Sequence, residues 1–258
     1  MDLTSIMRDF SFIIQKIDNF QPSEQRVVKH YCLLNESVCV SLSYAELSNN
    51  FDYLNRGFVP VGSVEFVKKA FTMLGITHVQ NISYPEELKS YLKREVYKTT
   101  IENAPIDKFI KPVETKLFTG FINTVDNERP QDFLSLPLST DIWVSDIIEI
   151  VEEYRIYVNT GKIVGYSRYD SNPQGCEILD SIYLYEVEKM ITSYSSAPIG
   201  YSIDIGITKN KDVVLIECND GWSLGYYPSK TLTKENYINL IATRWNQIFE
   251  NNLKQRQS

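Results

Sequence analysis

The segment from Ser202 to Asp220, SIDIGITKNKDVVLIECND, limits the possible folds of this chain more than any other part of it. Two apolar runs flank a polar turn, which predicts a hairpin of two buried β-strands. The first strand contains Asp204, and the second contains Glu217 and Asn219. Residues two apart on a strand share a face, so Glu217 and Asn219 point the same way, and Asp204 can reach that face from the neighbouring strand.

Oxygen-bearing side chains on one face of a hairpin suit Mg²⁺ that is also bound by phosphate oxygens. The alternative is that Asp204, Glu217 and Asn219 are polar groups at a hairpin end, solvated by water. The apolar run VVLI just before Glu217 argues against that alternative. We therefore predict a metal site at these three residues.

Length and charge exclude some classes of protein. At 258 residues with 43% hydrophobic content, the chain can bury a full core as one large or two small domains. The formal net charge is −7 and no block of Lys or Arg stands out, so we expect no nucleic-acid partner. The first residues, MDLTSIMRDF, carry charges where a signal peptide needs an apolar run, and no stretch is long enough to span a membrane. We therefore expect a cytoplasmic protein with no membrane partner.

The cysteine pattern favours free thiols over a zinc site. No two cysteines form a C-x-x-C pair, and the chain has only 2 histidines. A reducing cytosol would keep these thiols free. The cysteines are Cys32, Cys39, Cys176 and Cys218.

The sequence pattern changes near residue 95. Before it, short β-rich runs alternate with helical periods, which is typical of a small α/β layer with a partly parallel sheet. The run FVPVGSVEFVKKAFTMLGI predicts a strand, a turn at Gly62 and Ser63, and a helix that Gly75 ends. This turn could bind an anion at the helix N-terminus, although a simple cap is more common. We also expect strands at 12–17, 37–42 and 77–81, a capped helix from Ser23 with Leu34 facing inward, and a short helix at 85–92.

After residue 95 the chain has the pattern of an antiparallel sheet. Strand-like runs follow one another with short polar breaks, and the NTGK segment at 159–162 predicts a tight hairpin turn. Helices are expected at 181–193 and at about 233–249. The runs are VYKTTI, FIKP, LFTGFI, IWVSDII, EYRIYV and KIVGYSRY. The expected fold class is therefore α+β (α/β).

Five motifs in order make the chain resemble the ATP-grasp ligases, in which the nucleotide lies between two α+β subdomains. The resemblance covers about residues 95–227. The segments PVGSVEFV, IKP and EYR are similar to the sequences of a bacterial and phage clade of this superfamily. The clade is named for two arginines and one lysine and is proposed to contain peptide ligases. The five motifs are FIKPVETKLFTG, IWVSD, EYRIYV, SIDIGI and LIECN.

The resemblance implies an ATP-grasp fold preceded by a small Rossmann-like pre-ATP-grasp domain. The pre-ATP-grasp domain would occupy residues 1–95 and the ATP-grasp domain residues 96–258. Within the latter, a lid subdomain would cover about 96–145 and a C-terminal subdomain about 146–258.

The resemblance also implies a nucleotide site. Lys111 would contact the α and β phosphates of ATP as a point charge. Lys116 would either neutralise phosphate or lie in solvent, and Thr119 and Gly120 would form a lid turn.

In the same way, the main chain of Val144 and Ser145 would bind adenine. Asp146 would bind the ribose hydroxyls, or instead cap a short helix that follows it.

Two arginines lie on otherwise apolar strands, where an unpaired guanidinium is costly. By resemblance, Arg155 and Arg168 would bind the γ-phosphate and the substrate carboxylate or acyl phosphate, since a planar fork binds oxyanions in bidentate fashion. The alternative is an internal ion pair, for instance between Arg155 and Glu153. Arg94 is a further candidate, although LKRE is first of all typical of a solvated helix end.

The implied activity is ATP-dependent ligation of a carboxylate to an amine through an acyl phosphate, with ATP and Mg²⁺ as cofactors. The carboxylate and amine would come from an amino acid, a peptide or a protein terminus. Two alternatives stay open: a phosphotransferase acting on a small molecule, and a non-catalytic protein that binds nucleotide or acts as a scaffold. The aromatic residues Trp222, Tyr226 and Tyr227 would shape the acceptor side of the cleft or belong to the core.

Overall fold

In the computed structural model, which describes residues 10–77, 79–170 and 178–257, the N-terminal sheet has three parallel strands in the order β2-β1-β3. Parallel neighbours need crossover connections, and helices supply them here. The strands are β1 (Phe12–Gln15), β2 (Cys39–Leu42) and β3 (Val59–Val61), and the helices are α1 (Ser23–Leu34), α2 (Tyr44–Leu47), α3 (Phe51–Asn55) and α4 (Val64–Met73).

The predicted unit around Gly62 and Ser63 is present. Ser63 is the N-cap of α4, and its hydroxyl accepts a hydrogen bond from the Phe66 N–H at 3.2 Å. Gly75 has φ +62° just after the helix, as expected for a residue that ends a helix in the left-handed region. The cap interpretation of this turn is therefore confirmed.

Three details of the N-terminal segment differ from the prediction. Pro22 rather than Ser23 is the N-cap of α1, and the Ser23 hydroxyl instead donates to the Tyr226 carbonyl at 2.8 Å. Leu34 is 67% exposed, because it lies at the last position of the helix and no described element covers it. The described residues of 77–81 form no strand, while His78 lies outside the described residues.

The middle sheet is antiparallel, with strand order β4-β7-β5-β6. Its core is a cluster that includes Ile110, Phe133 and Val144. A 3₁₀ helix at Glu86–Leu92, where a short helix was predicted, leads into this sheet. The elements are β4 (Val96–Thr100), β5 (Lys108–Pro112), β6 (Phe121–Asn123), α5 (Gln131–Leu134) and β7 (Asp141–Ser145).

The C-terminal sheet is antiparallel in the order β11-β10-β8-β9. Thr160 and Gly161 both have positive φ (53° and 70°) between β8 and β9, which is the two-residue hairpin turn that NTGK predicts. Cys176, in the segment before α6, lies outside the described residues, whereas Cys32, Cys39 and Cys218 are free thiols. The elements are β8 (Ile150–Asn159), β9 (Lys162–Arg168), α6 (Ser181–Ser193), β10 (Gly200–Thr208), β11 (Val213–Asp220) and α7 (Lys234–Gln257).

Helix α7 joins the C-terminal sheet to the N-terminal segment. Its buried stripe includes Tyr237, Ile241 and Trp245, and the Trp245 ring stacks on Phe71 of α4 with 5.4 Å between centroids. The helix continues eight residues beyond the predicted end at 249, and there the Asn252 amide donates to the Leu74 carbonyl at 3.1 Å. This last stretch is mostly polar, so it contains no apolar stripe from which a longer helix could be predicted.

The three sheets fall within residues 1–95, 96–145 and 146–258, respectively, so strand pairing does not cross the boundaries expected from the sequence. The combination of a parallel sheet, two antiparallel sheets and helices confirms the expected α+β (α/β) fold class. The division into domains remains a proposal. No helix in the described part of the chain is long and apolar enough to cross a membrane.

We predict that Gly200→Ala destabilises the protein because β10 and α7 are too close for a side chain at this position. A Cβ there would lie 2.6 Å from the Leu240 carbonyl oxygen and 3.1 Å from Arg244 Cβ. The expected loss is about 1–3 kcal/mol in the free energy of unfolding, measured by urea denaturation. Gly225→Ala is the control, since its Cβ would meet only Arg155 Nη1, at 3.6 Å. Equal stability of the two variants would contradict this account of the packing.

Candidate active site

A row of three charged residues crosses the C-terminal sheet. Arg155 on β8 lies directly opposite Asp204 on β10, and Asp204 lies directly opposite Glu217 on β11. Directly paired residues put their side chains on the same face of a sheet. The fold therefore places one cation and two carboxylates side by side.

Arg155 and Asp204 form a bidentate ion pair. The Arg155 Nε donates to Asp204 Oδ1 at 2.9 Å, and Nη2 donates to Oδ2 at 2.7 Å. The side chains are only 11% and 2% exposed, respectively. Arg155 therefore forms an internal ion pair, which was the alternative to substrate binding, but the partner is Asp204 on the neighbouring strand and not Glu153.

Lys111 connects the two antiparallel sheets. It lies on β5 of the middle sheet, and its ammonium group forms an ion pair with Glu217 Oε2 of the C-terminal sheet. The Asn219 amide nitrogen donates to Asp204 Oδ2 at 3.0 Å and to Glu217 Oε1 at 3.3 Å, so it bridges the two carboxylates. The structure thus brings together five predicted site residues: Lys111, Arg155, Asp204, Glu217 and Asn219.

Burial and pairing act against each other on the charges of this cluster. Burial disfavours the charged form of Glu217, but the Lys111 ammonium outweighs it and lowers the pKa of Glu217 below its ordinary value. Burial raises the pKa of Asp204, and the Arg155 guanidinium opposes that increase. Burial would lower the pKa of Arg155, yet Asp204 raises it above its ordinary value. The pairs hold two positive and two negative charges. Arg155 and Asp204 are nearly shielded from water, whereas the Lys111 and Glu217 side chains are 15% and 26% exposed.

Three tyrosines surround the guanidinium of Arg155. Its carbon lies 5.1 Å from the Tyr227 ring centroid and 5.7 Å from that of Tyr169, and these two rings are stacked. The Tyr157 hydroxyl donates to the Gly225 carbonyl and accepts from the Tyr227 N–H, at 3.0 Å in both cases. Cation–π contacts and this hydrogen-bonded segment fix the orientation of Arg155.

A cleft of about 360 Å³ opens beside the charged cluster, and its walls come from both antiparallel sheets. The predicted lid residues Thr119 and Gly120 line it. Lys116 also lines it and is exposed, with φ +66°. A Cβ on Gly120 would lie 2.6 Å from the Phe109 ring, so glycine is required where this turn approaches β5. Lys111, Glu217 and Asn219 reach the same cleft.

The residues predicted to bind adenine and ribose lie at the end of β7. This strand has a neighbour on each side, and both Val144 and Ser145 lie in its ladders. Adenine binding by their main chain therefore remains a prediction, and the main chain outside the strands starts with Asp146.

The Asp146 carboxylate forms an ion pair with Lys108 and accepts from the Glu95 N–H at 3.0 Å. The alternative role of Asp146 as a helix N-cap is wrong, because residues 147–149 are not helical.

Two candidate arginines are not brought into the cluster. Arg168 lies directly opposite Tyr154, on the other face of the sheet from Arg155, and donates to Asp170 at 2.7 Å. The cause is a register shift of one residue between Tyr157 and Val158, because each such shift exchanges the two faces of a strand.

Arg94 is not a solvated helix end. It donates to the Leu215 carbonyl at 2.7 Å, the Ile216 carbonyl at 3.2 Å and the Ser145 hydroxyl at 2.8 Å. It therefore ties β11 to β7 across the two antiparallel sheets.

The donor set at Asp204, Glu217 and Asn219 fits a hard divalent cation. It offers two carboxylates and one amide on adjacent strands, which is the oxygen chemistry that Mg²⁺ prefers. Among the residues that the structure describes, no three His, Cys, Asp or Glu side chains form a metal-type group, so the amide is a necessary part of this set. The Asn219 amide now donates from nitrogen, so it would have to rotate to offer its oxygen.

Sequence patterns missed two aromatic residues beside Lys111. The Tyr84 ring centroid lies 4.4 Å from the ammonium nitrogen, and Trp143, directly opposite Lys111 on β7, packs edge-to-face on Tyr84. A signal for Trp143 was present in the IWVSD run. Side chains alternate along a strand, so Trp143 must lie on the face of β7 opposite to the buried Ile142 and Val144. Tyr84 precedes a proline in a loop, and nothing local indicates its role.

Among the clustered aromatics near the C-terminus, only Tyr227 lies at the site. Tyr226 is buried against Tyr237, and Trp222 packs on Phe71, so these two belong to the core.

We predict that Asp204→Asn strongly destabilises the protein, because it leaves the buried charge of Arg155 uncompensated. The expected loss is about 3–5 kcal/mol in the free energy of unfolding. The matched control is Asp141→Asn, which breaks the exposed pair with Lys98 (2.7 Å) and should cost no more than about 1 kcal/mol. Chemical denaturation of both variants measures the difference, and a small loss in each would show that the Arg155 charge does not depend on Asp204.

Comparisons with known proteins bear on the family and the fold of this chain. The family model described as an ATP-grasp domain of the R-two-K clade, family 2, matches residues 91–240. No curated protein sequence matches the chain at a significant level.

Solved structures share the fold at low sequence identity. D-alanine–D-alanine ligase from Bacillus anthracis complexed with ATP is 14% identical with a TM-score of 0.51, covering 93% of this chain and 98% of that one. L-amino acid ligase from Bacillus licheniformis is 15% identical with a TM-score of 0.52, covering 92% and 75%. The macrocyclase MdnC bound with precursor peptide MdnA, from Microcystis aeruginosa MRC, is 10% identical with a TM-score of 0.51, covering 91% and 99%.

The expected ATP-grasp fold is therefore confirmed, and the family match together with these ligase folds supports an ATP-dependent ligase enzyme. Because the family model spans more than half of the chain, the protein belongs to the ATP-grasp domain family that this model describes, family 2 of the R-two-K clade.

Proposed function

We propose that this protein joins a carboxylate to an amine at the expense of ATP, through an acyl phosphate. The observation that carries the proposal is one hydrogen-bonded cluster of Lys111, Arg155, Asp204, Glu217 and Asn219. Three of its members, Lys111, Glu217 and Asn219, line a cleft between two sheets. Each of these side chains is held by another member of the cluster, so the charges are oriented before a substrate arrives. Preoriented charges stabilise a phosphoryl-transfer transition state without reorganisation.

Asp204, Glu217 and Asn219 would hold Mg²⁺, whose chemistry in such a site is to neutralise negative charge on the phosphate oxygens. The two carboxylates would then have a cation other than Lys111 and Arg155 as a partner. This exchange would free the ammonium group of Lys111 for the α and β phosphates of ATP, with Lys116 as a second positive charge at the rim of the cleft.

Arg155 is placed to bind the reacting oxyanion. Asp204 occupies its Nε and Nη2, whereas Nη1 lies beside Gly225, where a Cβ would come within 3.6 Å. Gly225 has no side chain that would cover this nitrogen. We propose that Arg155 binds the γ-phosphate or the acyl phosphate there, and that Arg168 takes no part in the reaction.

The reaction has two steps that conserve atoms and charge. A carboxylate oxygen attacks the γ-phosphorus, the new P–O bond forms, and ADP leaves. The amine nitrogen then attacks the acyl carbon, the C–O bond to phosphate breaks, and the ammonium proton is lost to solvent or phosphate. Little acid–base catalysis by the protein is required, since phosphate is a good leaving group. We propose an amino acid or a peptide as the source of both reacting groups.

The nucleotide site is tested by calorimetric titration with a non-hydrolysable ATP analogue, with and without Mg²⁺. We expect metal-dependent binding that Lys111→Ala and Glu217→Ala each weaken at least tenfold, which corresponds to about 1.4 kcal/mol. Lys98→Ala is the control, because Lys98 is on the same sheet but exposed and paired with Asp141. Absence of binding by the native protein, or equal weakening by Lys98→Ala, would overturn the proposed site.

Ligation is tested by the product formed from ATP and a mixture of amino acids and dipeptides. We expect phosphate release together with a new amide, detected by its mass, and loss of both in Lys111→Ala. A phosphorylated acceptor without an amide would instead establish the phosphotransferase alternative. ATP binding without turnover of any mixture would favour a non-catalytic nucleotide-binding protein.

A further inference from the structure

Tyr84 lies beside the charged cluster, in the segment that leads into the 3₁₀ helix. Its ring centroid is 4.4 Å from the ammonium nitrogen of Lys111 on β5. The ring also packs edge-to-face on Trp143 of β7, with 4.9 Å between the two centroids. Trp143 is the direct neighbour of Lys111 in the middle sheet, so two aromatic rings and one ammonium group form a compact unit. No step of the proposed reaction uses Tyr84.

The main chain on both sides of Tyr84 is restrained. The Ser83 carbonyl accepts a hydrogen bond from the Cys218 N–H at 2.9 Å, next to Glu217 on β11. Pro85 is the N-cap of the 3₁₀ helix, and a proline restricts the residue before it to extended conformations. The Tyr84 ring is therefore held at the place where the middle and C-terminal sheets meet.

The two partners of Lys111 differ in charge. Glu217 neutralises the ammonium group in an ion pair, whereas an aromatic ring attracts a cation through its quadrupole and leaves the positive charge in place. A lysine side chain that is released from its carboxylate gains rotamer freedom, and ordering it again on a ligand is unfavourable. A neutral partner keeps the side chain ordered without competing with a phosphate for its charge.

We infer that Tyr84 is a positioning residue, which keeps the ammonium group of Lys111 in the cleft after Glu217 has turned to the metal. The inference rests on the proposed function, in which Glu217 binds Mg²⁺ and Lys111 binds the phosphates of ATP. Tyr84 itself would touch neither the metal nor the phosphates. Trp143 would support the ring from the side of β7.

The test is calorimetric titration with a non-hydrolysable ATP analogue in the presence of Mg²⁺. Tyr84→Leu removes the ring, and we expect binding that is about threefold to tenfold weaker, as for the loss of a partly desolvated cation–π contact. Tyr84→Phe keeps the ring and should bind almost as tightly as the native protein. If Tyr84→Leu is unfolded in urea titrations, Tyr84→Met replaces it, since methionine also removes the ring and adapts to irregular space.

Tyr185→Leu is the matched control. The Tyr185 ring centroid also lies 4.4 Å from a lysine nitrogen, that of Lys189, and this lysine is paired with Glu186 at 2.7 Å. Tyr185 is 57% exposed on α6 and does not line the cleft. The control should bind the analogue as the native protein does.

A double-mutant cycle separates the positioning of Lys111 from a general effect on the fold. In the Lys111→Ala background, Tyr84→Leu should weaken binding no further, because the group that the ring positions is gone. Equal losses from Tyr84→Leu in both backgrounds would overturn the inference. So would an equal loss in Tyr84→Phe or in Tyr185→Leu, or the absence of any loss in Tyr84→Leu.

Acetylation by acetic anhydride without nucleotide tests the contact apart from the proposed function. In the Glu217→Ala variant, where Lys111 has lost its carboxylate, adding Tyr84→Leu should raise the rate at Lys111 at least threefold. The rate at Lys98, which is exposed and on the same sheet, should not change. An unchanged rate at Lys111 contradicts the positioning role. A raised rate in a protein that binds no ATP analogue would confirm the contact and overturn the proposed function, and with it the role of Tyr84 in that function.

Discussion

The ion pair between Arg155 and Asp204 is the interaction on which the candidate site depends. Both residues lie in the two central strands of the C-terminal sheet, where apolar neighbours such as Ile156, Ile203 and Ile205 are fully buried. A lone charge in such a place costs several kcal/mol, so each charge requires the other. The pair is bidentate only if β8 and β10 keep their register, and the site geometry therefore follows from the same strand alignment that builds the core.

The second pair, Lys111 with Glu217, extends this dependence across two sheets. Its members come from β5 and β11, and Arg94 joins the same two sheets by hydrogen bonds to the main chain of β11 and the side chain of Ser145. The walls of the cleft are thus positioned by polar contacts that lie inside it or at its edge. On the proposed function, Mg²⁺ would take the place of an internal cation beside the carboxylates, and the phosphates of ATP would take the place of an internal carboxylate beside the cations. The charges of the site would therefore be neutralised both with and without bound Mg²⁺ and ATP.

Local patterns were sufficient for much of the fold. Alternation on β11 placed Glu217 and Asn219 on one face, the NTGK turn is a hairpin, and α6 begins and ends at the predicted residues. The position of Arg168 could not be derived in this way. A two-residue turn at 160–161 with regular pairing would put Arg168 opposite Glu153, on the face of Arg155. The register shift inserts one residue and moves Arg168 to the other face.

Long-range contacts explain the remaining differences. Tyr84 lies beside Lys111 because two distant segments meet, and no periodicity contains that information. Arg155 was expected either to bind a substrate oxyanion or to form an internal ion pair, for instance with Glu153. The structure has an internal ion pair, but its other member is Asp204, 49 residues away in sequence. Pattern, spacing and the family resemblance therefore selected residues that the fold brings together, whereas their partners depended on tertiary structure.

The loop of residues 113–120, which forms one wall of the cleft, is attached to the N-terminal segment by weak contacts. Lys68 pairs with Glu114 at 2.5 Å, but the side chains are 39% and 61% exposed, and an exposed pair contributes only about 0–1 kcal/mol. The Asn81 amide donates to the Val113 carbonyl at 2.7 Å and is also exposed. Stronger, buried attachment would fix the loop, whereas the proposed function needs a cleft wall that opens at little cost. The contrast between the buried pairs inside the cleft and these exposed contacts at its edge separates the part of the site that must stay rigid from the part that must move.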